Sequence, residues 1–107
     1  MKKNICVVGL GYVGLPLAHA FSSKYNVVGL DISEERIKEL ESGFDRTMEL
    51  SKENIQEAIN NDMKFTSNFQ DASHCNIYII TVPTPIDSKN EPDLTPIKKS
   101  SEAVSKI

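Results

Sequence analysis

Ile5-Cys6-Val7-Val8-Gly9-Leu10-Gly11-Tyr12-Val13-Gly14 decides the fold. Ile5 to Val8 form a short, mostly β-branched run without polar alternation, the pattern of a strand buried on both faces. Three glycines end it. Beyond them Val13, Leu17 and Phe21 recur at helical spacing, so a helix starts inside the glycines with these residues on its inner face. Pro16 falls in its first turn, where a missing N–H costs little. His19 lies opposite that stripe and is expected at the surface.

The pattern then repeats. Val27-Val28-Gly29-Leu30-Asp31 reads as a second buried strand ending in an acid. Ser33 can cap the following helix, with Glu34 and Glu35 in its positive first turn, Ile37 and Leu40 inside, and Gly43 as the stop. Residues 44–50 read as a loop. Ser51 caps a further helix, with Leu50 and Ile55 placed as a hydrophobic staple and Asn60-Asn61-Asp62 at its end. Met63-Lys64-Phe65-Thr66 suits a short edge strand. Asn76-Ile77-Tyr78-Ile79-Ile80-Thr81-Val82 is the strongest strand, expected at the centre of a complete sheet and stopped by Pro83-Thr84-Pro85. After a polar loop, Thr95-Pro96 looks like an N-cap and first helical residue, with Ile97 and Val104 on one face. Alternating strands and helices predict an α/β, Rossmann-type open parallel sheet with helices on both faces, partial, with about four strands in the order 3-2-1-4.

The 107 residues carry 39% hydrophobic and 25% charged residues and a net charge of -3, the make-up of one ordinary globular domain. Scattered charge gives no nucleic-acid footprint, and no apolar stretch approaches the ~18 residues needed to cross a bilayer. Met1-Lys2-Lys3 is not followed by a signal-peptide cleavage site. With 2 cysteines, Cys6 and Cys75, neither a disulfide framework nor a metal cluster is expected, and a cytoplasmic location is.

Gly9-x-Gly11-x-x-Gly14 gains meaning from its setting, between a buried strand and a helix and upstream of Asp31. Gly9 permits the tight turn, Gly11 lets the backbone approach a pyrophosphate, and Gly14 lets helix and strand pack closely. The helix N-terminus, with its unpaired N–H groups, favours the phosphates. The alternative is a glycine-rich turn that binds nothing. Asp31 is placed to accept from ribose hydroxyls, and a 2′-phosphate there would meet a like charge, so NAD is expected over NADP. Arg36 reads either as packing near the adenine or as a solvated helix-face residue. Thr84, after Pro83, offers a hydroxyl to a ribose or nicotinamide, or merely bonds its own backbone in a rigid turn. Cys6 is a small core hydrophobe, and His74 beside Cys75 forms no thiolate pair if the two sit in regular structure. No metal-ligand spacing and no nucleophile with its base can be assembled.

Val8 to Ala18, Gly29-Leu30-Asp31, Val82-Pro83-Thr84-Pro85 and Pro92-Asp93-Leu94 together resemble the UDP-glucose/GDP-mannose dehydrogenase family. Gly43 to Glu49 and Ile79 to Ile86 look most like its branch that oxidises UDP-N-acetylhexosamines for surface and capsular polysaccharides. The resemblance implies NAD-dependent oxidation of a sugar C6 alcohol to a carboxylate in two hydride transfers, by a homo-oligomer. It implies a cysteine in a Gly-Ser-Cys segment that holds the aldehyde, a segment absent from these residues. It places Gly11, Tyr12 and Val13 at the pyrophosphate, with Gly9 and Gly14 in the same cofactor-binding turn, Asp31 and Arg36 at the adenosine ribose, and Pro83 and Thr84 on the nicotinamide side. Residues 1–107 are then expected to be a truncated N-terminal NAD-binding domain. The catalytic and UDP-sugar-binding parts would be missing, the outer edge of strand 76–82 would lack a partner, and the 107 residues alone would have no activity. The competing expectations are a nucleotide-sensing Rossmann module and another NAD-dependent dehydrogenase.

Overall fold

A computed structural model describes residues 3–82, 89 and 94–106. Four strands, β1 (Asn4–Val8), β2 (Asn26–Leu30), β3 (Lys64–Thr66) and β4 (Ile77–Ile80), form one sheet in the order β3-β2-β1-β4. Every pairing is parallel, as the alternation of strands and helices predicts. β4 therefore stands at one edge among the described residues, opposite β3 at the other.

Side chains alternate across the sheet. Ile5, Val7 and Val27 enter one apolar cluster with Leu15 and Ala18 of α1 (Gly14–Ser22), Ile37 and Leu40 of α2 (Glu34–Glu41) and Ile55 and Ala58 of α3 (Lys52–Asn60). Cys6, Val8, Val28 and Leu30 enter the other, closed by Ala72 and Cys75 after a 3-10 turn (Phe69–Ala72) and by Val104 of α4 (Thr95–Ser105). Helices thus cover both faces, and β1 is buried on both.

Local signals account for most boundaries. The Ser33 side chain accepts from Arg36 N–H and the Ser51 side chain from Asn54 N–H, so both serines cap as expected. Leu50 and Ile55 are both buried, completing the staple. Gly43, at φ +89°, ends α2 in a Schellman motif, with Gly43 N–H on Leu40 O and Phe44 N–H on Glu39 O.

Three expectations need correction. The buried face of α1 is Gly14, Leu15, Ala18 and Ser22, not Val13, Leu17 and Phe21. The helix turns Leu15 inward together with the small Ala18 and Ser22, leaving Val13 66% exposed and Phe21 at the margin of the core. His19 is not at the surface: its side chain is half-buried and its Nε2 lies 3.1 Å from Glu57 Oε1 of α3. The N-cap of α4 is Leu94, with Thr95 already helical, because proline suits the first two helical positions equally.

Candidate functional site

The carboxyl ends of β1, β2 and β4 converge on the glycine turn. Gly9 takes φ +95°, a backbone state that only glycine adopts cheaply, and its N–H donates to Leu30 O at 2.7 Å. From the other side Thr81 N–H donates to Val8 O at 2.8 Å, and the Thr81 hydroxyl lies 2.7 Å from Gly9 O. The turn is therefore stitched to both neighbouring strands. Thr81 escaped notice in the sequence; its signal was one polar side chain at the end of an apolar strand.

Gly14 and Gly11 are glycines for different reasons. A Cβ on Gly14 would lie 1.7 Å from Gly9 O and 2.4 Å from Thr81 Oγ1, so this glycine serves helix–strand packing. Among the described residues, a Cβ on Gly11 would meet nothing within 4 Å. Gly11 also lacks a positive φ, so neither backbone nor packing demands glycine there. An open face at this point fits a phosphate brought against the chain.

The surroundings suit an anion. The N-cap Val13 makes no side-chain cap bond and the first turn of α1 holds no acid. Among the described residues, the N–H groups of Tyr12, Val13 and Gly14 have no acceptor. They offer the unsatisfied donors of a helix N-terminus. Tyr12, Val13 and Ile32 are 69%, 66% and 79% exposed, giving the turn and the end of β2 an apolar rim. Ile32 was not singled out in the sequence.

Asp31 closes β2 and is held in place. Its Oδ2 accepts from Leu10 N–H at 2.9 Å and its Oδ1 from Ser33 N–H at 2.9 Å. Each oxygen keeps further acceptor capacity for a hydroxyl. Arg36 is 8% exposed, which removes the solvated reading. Its Nε and Nη2 donate to Leu10 O at 2.9 and 2.7 Å, and its Nη1 meets Glu39 Oε1 at 2.7 Å and Asp45 Oδ1 at 2.9 Å.

Asp45 was not foreseen, because a lone acid in a polar loop looks solvated. It is 3% exposed and accepts from the N–H and hydroxyl of Thr47 and from the N–H groups of Glu49 and Leu50. Burial would raise its pKa, but the bonds from Thr47, Leu50 and Arg36 outweigh it and bring the carboxyl down to about 2. In Glu39, burial is likewise outweighed by bonds from Arg46 and Arg36, which lower its pKa.

The cysteines are inert by environment. Cys6 is fully buried and burial pushes its thiol up to about 12; burial raises Cys75 as well. His74 Nε2 does lie 4.0 Å from Cys75 Sγ, contrary to the strand or helix geometry assumed for them, because the pair follows the 3-10 turn. Burial of Cys75 favours its neutral thiol over a thiolate. Pro83 and Thr84 lie outside the described residues. Among the described residues no group of three or more His, Cys, Asp or Glu could hold a metal, and no helix is long and apolar enough to cross a membrane.

Parallel strands, a strand–glycine turn–helix with an open Gly11, and an acid at the end of the next strand define a dinucleotide-binding domain of Rossmann type. Residues 3–107 match the UDP-glucose/GDP-mannose dehydrogenase family, NAD binding domain. The chain is 52% identical over 104 residues to the UDP-N-acetyl-D-glucosamine 6-dehydrogenase of Pseudomonas aeruginosa, covering 97% of this chain and 24% of that protein. It is 50% identical over 107 residues to Protein CapL of Staphylococcus aureus, covering 100% of this chain and 24% of that one. In structure it resembles the UDP-D-ManNAc dehydrogenase of Pyrococcus horikoshii, with a TM-score of 0.91 at 36% identity, covering 97% of this chain and 25% of the other. The chain belongs to the UDP-glucose/GDP-mannose dehydrogenase family, as its NAD-binding domain. It spans about a quarter of the length of the relatives it matches.

Proposed function

We propose that this chain is the NAD-binding part of a UDP-N-acetylhexosamine 6-dehydrogenase, which oxidises the sugar C6 alcohol to the uronic acid for surface or capsular polysaccharide. The observation that carries the cofactor site is the open face at Gly11, where none of the described residues forbids a side chain. Gly9 and Gly14 shape the turn, and the N–H groups of Tyr12, Val13 and Gly14 receive the pyrophosphate. Asp31 accepts from the adenosine ribose and disfavours a 2′-phosphate. The resemblance of Val82-Pro83-Thr84-Pro85 to the family supports assigning Pro83 and Thr84 to the nicotinamide side. Bound NAD supplies a hydride acceptor; the residues of this chain hold and orient it.

Likeness to the UDP-N-acetyl-D-glucosamine 6-dehydrogenase of Pseudomonas aeruginosa supports the substrate class. That relative extends far beyond the aligned quarter, which supports catalytic and UDP-sugar-binding parts outside residues 1–107. Neither Cys6 nor Cys75 lies in a Gly-Ser-Cys segment and both are buried, which supports these residues alone turning over no sugar. A cytoplasmic, homo-oligomeric enzyme is part of the same proposal.

The whole protein that carries this domain, given NAD and each UDP-N-acetylhexosamine in turn, should form two NADH per sugar oxidised. Oxidation of none of them would refute the substrate assignment. NAD binding without turnover would instead mark a nucleotide-sensing module.

A further inference from the structure

The loop between α2 and α3 is connected to the glycine turn by a chain of buried polar bonds. Asp45, whose side chain has no exposure, collects Thr47, Glu49 and Leu50 with its two oxygens. Those bonds hold Met48 in the left-handed region at φ 58° while leaving it 85% exposed, so the loop conformation is imposed by the carboxylate rather than by apolar packing. Asp45 Oδ1 in turn lies 2.9 Å from Arg36 Nη1, and the far side of the guanidinium grips Leu10 O through two donors. The N–H of the same Leu10 is held by Asp31. Leu10 is therefore fixed at both its peptide groups, one residue before Gly11.

We propose that Asp45 and Arg36 form a positioning relay, in which Asp45 aims the guanidinium at Leu10 O and so sets the glycine turn for the pyrophosphate. This rests on NAD binding at the turn as proposed above. It gives Arg36 a role besides ribose contact: four of its five N–H donors face Leu10, Glu39 and Asp45. It also makes a loop outside the glycine motif a determinant of cofactor affinity. Supporting groups of this kind hold a site to the tolerance that binding requires.

Arg36→Lys, Asp45→Asn and the double variant of the whole protein, titrated with ADP-ribose and with AMP, test the relay. ADP-ribose carries the full pyrophosphate, whereas AMP carries the adenosine ribose and a single phosphate. Each single variant should lose about tenfold in ADP-ribose affinity and clearly less for AMP, and the double variant should lose no more than the worse single. Equal losses for both ligands in Arg36→Lys would show ribose contact, and additive losses would show two independent effects; either overturns the relay. Hydrogen exchange without nucleotide supplies a second readout: the bonded amides of the turn, Gly9 and Leu10, should exchange faster in Asp45→Asn, and unchanged exchange there overturns the proposal even if the wild type binds no nucleotide. Failure of the wild type to bind ADP-ribose, with that exchange coupling present, would refute the cofactor site and not the relay. Should Asp45→Asn not fold, Thr47→Ala removes one donor from the carboxylate and must shift the same amides in the same direction.

Discussion

Gly11→Ala and Gly14→Ala, two substitutions of one chemistry three positions apart, should have opposite consequences. On Gly14 the new methyl would sit 1.7 Å from Gly9 O and 2.4 Å from Thr81 Oγ1, far inside the 3.0 Å that Cβ atoms respect. Gly9 O cannot swing aside, because the Thr81 hydroxyl holds it at 2.7 Å. The start of α1 would have to back away from β1 by more than an ångström, an overpacking that costs about 3 kcal/mol or more. For a domain of this size that lowers Tm by at least about 12 °C. On Gly11 the methyl meets none of the described residues within 4 Å and the backbone φ is not positive. Stability should stay level or rise by up to about 0.5 kcal/mol through the less flexible unfolded chain. NAD affinity should fall at least about tenfold, since the methyl occupies the space of the phosphate. Thermal denaturation followed by circular dichroism and calorimetric titration with NAD read the two effects separately. Undiminished NAD binding by Gly11→Ala would refute the reasoning, and so would a loss of stability matching that of Gly14→Ala.

Two further outcomes follow from the buried titratable groups. Asp45 has its carboxyl lowered from an ordinary 3.8 to about 2, so its stabilisation, about 2 kcal/mol, is complete above about pH 5 and disappears as pH falls through about 2; denaturant titrations of wild type and Asp45→Asn at pH 7 and pH 2.5 should therefore differ most at pH 7, and a constant difference would contradict the assignment. Cys6 and Cys75, both buried with raised pKa, should resist a thiol reagent at pH 8 in the folded protein and both react in denaturant, whereas rapid labelling of either in the native state would show an accessible thiolate.

Features that depend on near neighbours in sequence were legible. The caps at Ser33 and Ser51, the staple of Leu50 on Ile55, the glycine stop after α2 and the strand order all follow from side-chain chemistry within a few positions or from the handedness of parallel crossovers. Features that depend on distant partners were not. Leu15, Ala18 and Ser22 line the face of α1 that meets the sheet, while Val13 and Leu17, which dominate the hydrophobic period, are left outside it. Asp45 and Arg36 look like solvated charges until the fold brings them against each other and Leu10 O, 26 residues from Arg36 in the chain. The glycine triplet and Asp31 announced the site, but only the space around each glycine separates the one that serves the fold from the one left open to a ligand.

The most direct test of the central claim is a calorimetric titration of the whole protein with NAD and then with NADP. Saturable binding of NAD, with NADP weaker because its 2′-phosphate meets the Asp31 carboxylate, is the predicted result. A folded protein that binds neither, or that binds NADP as well as NAD, would contradict the assignment of Gly11 and Asp31.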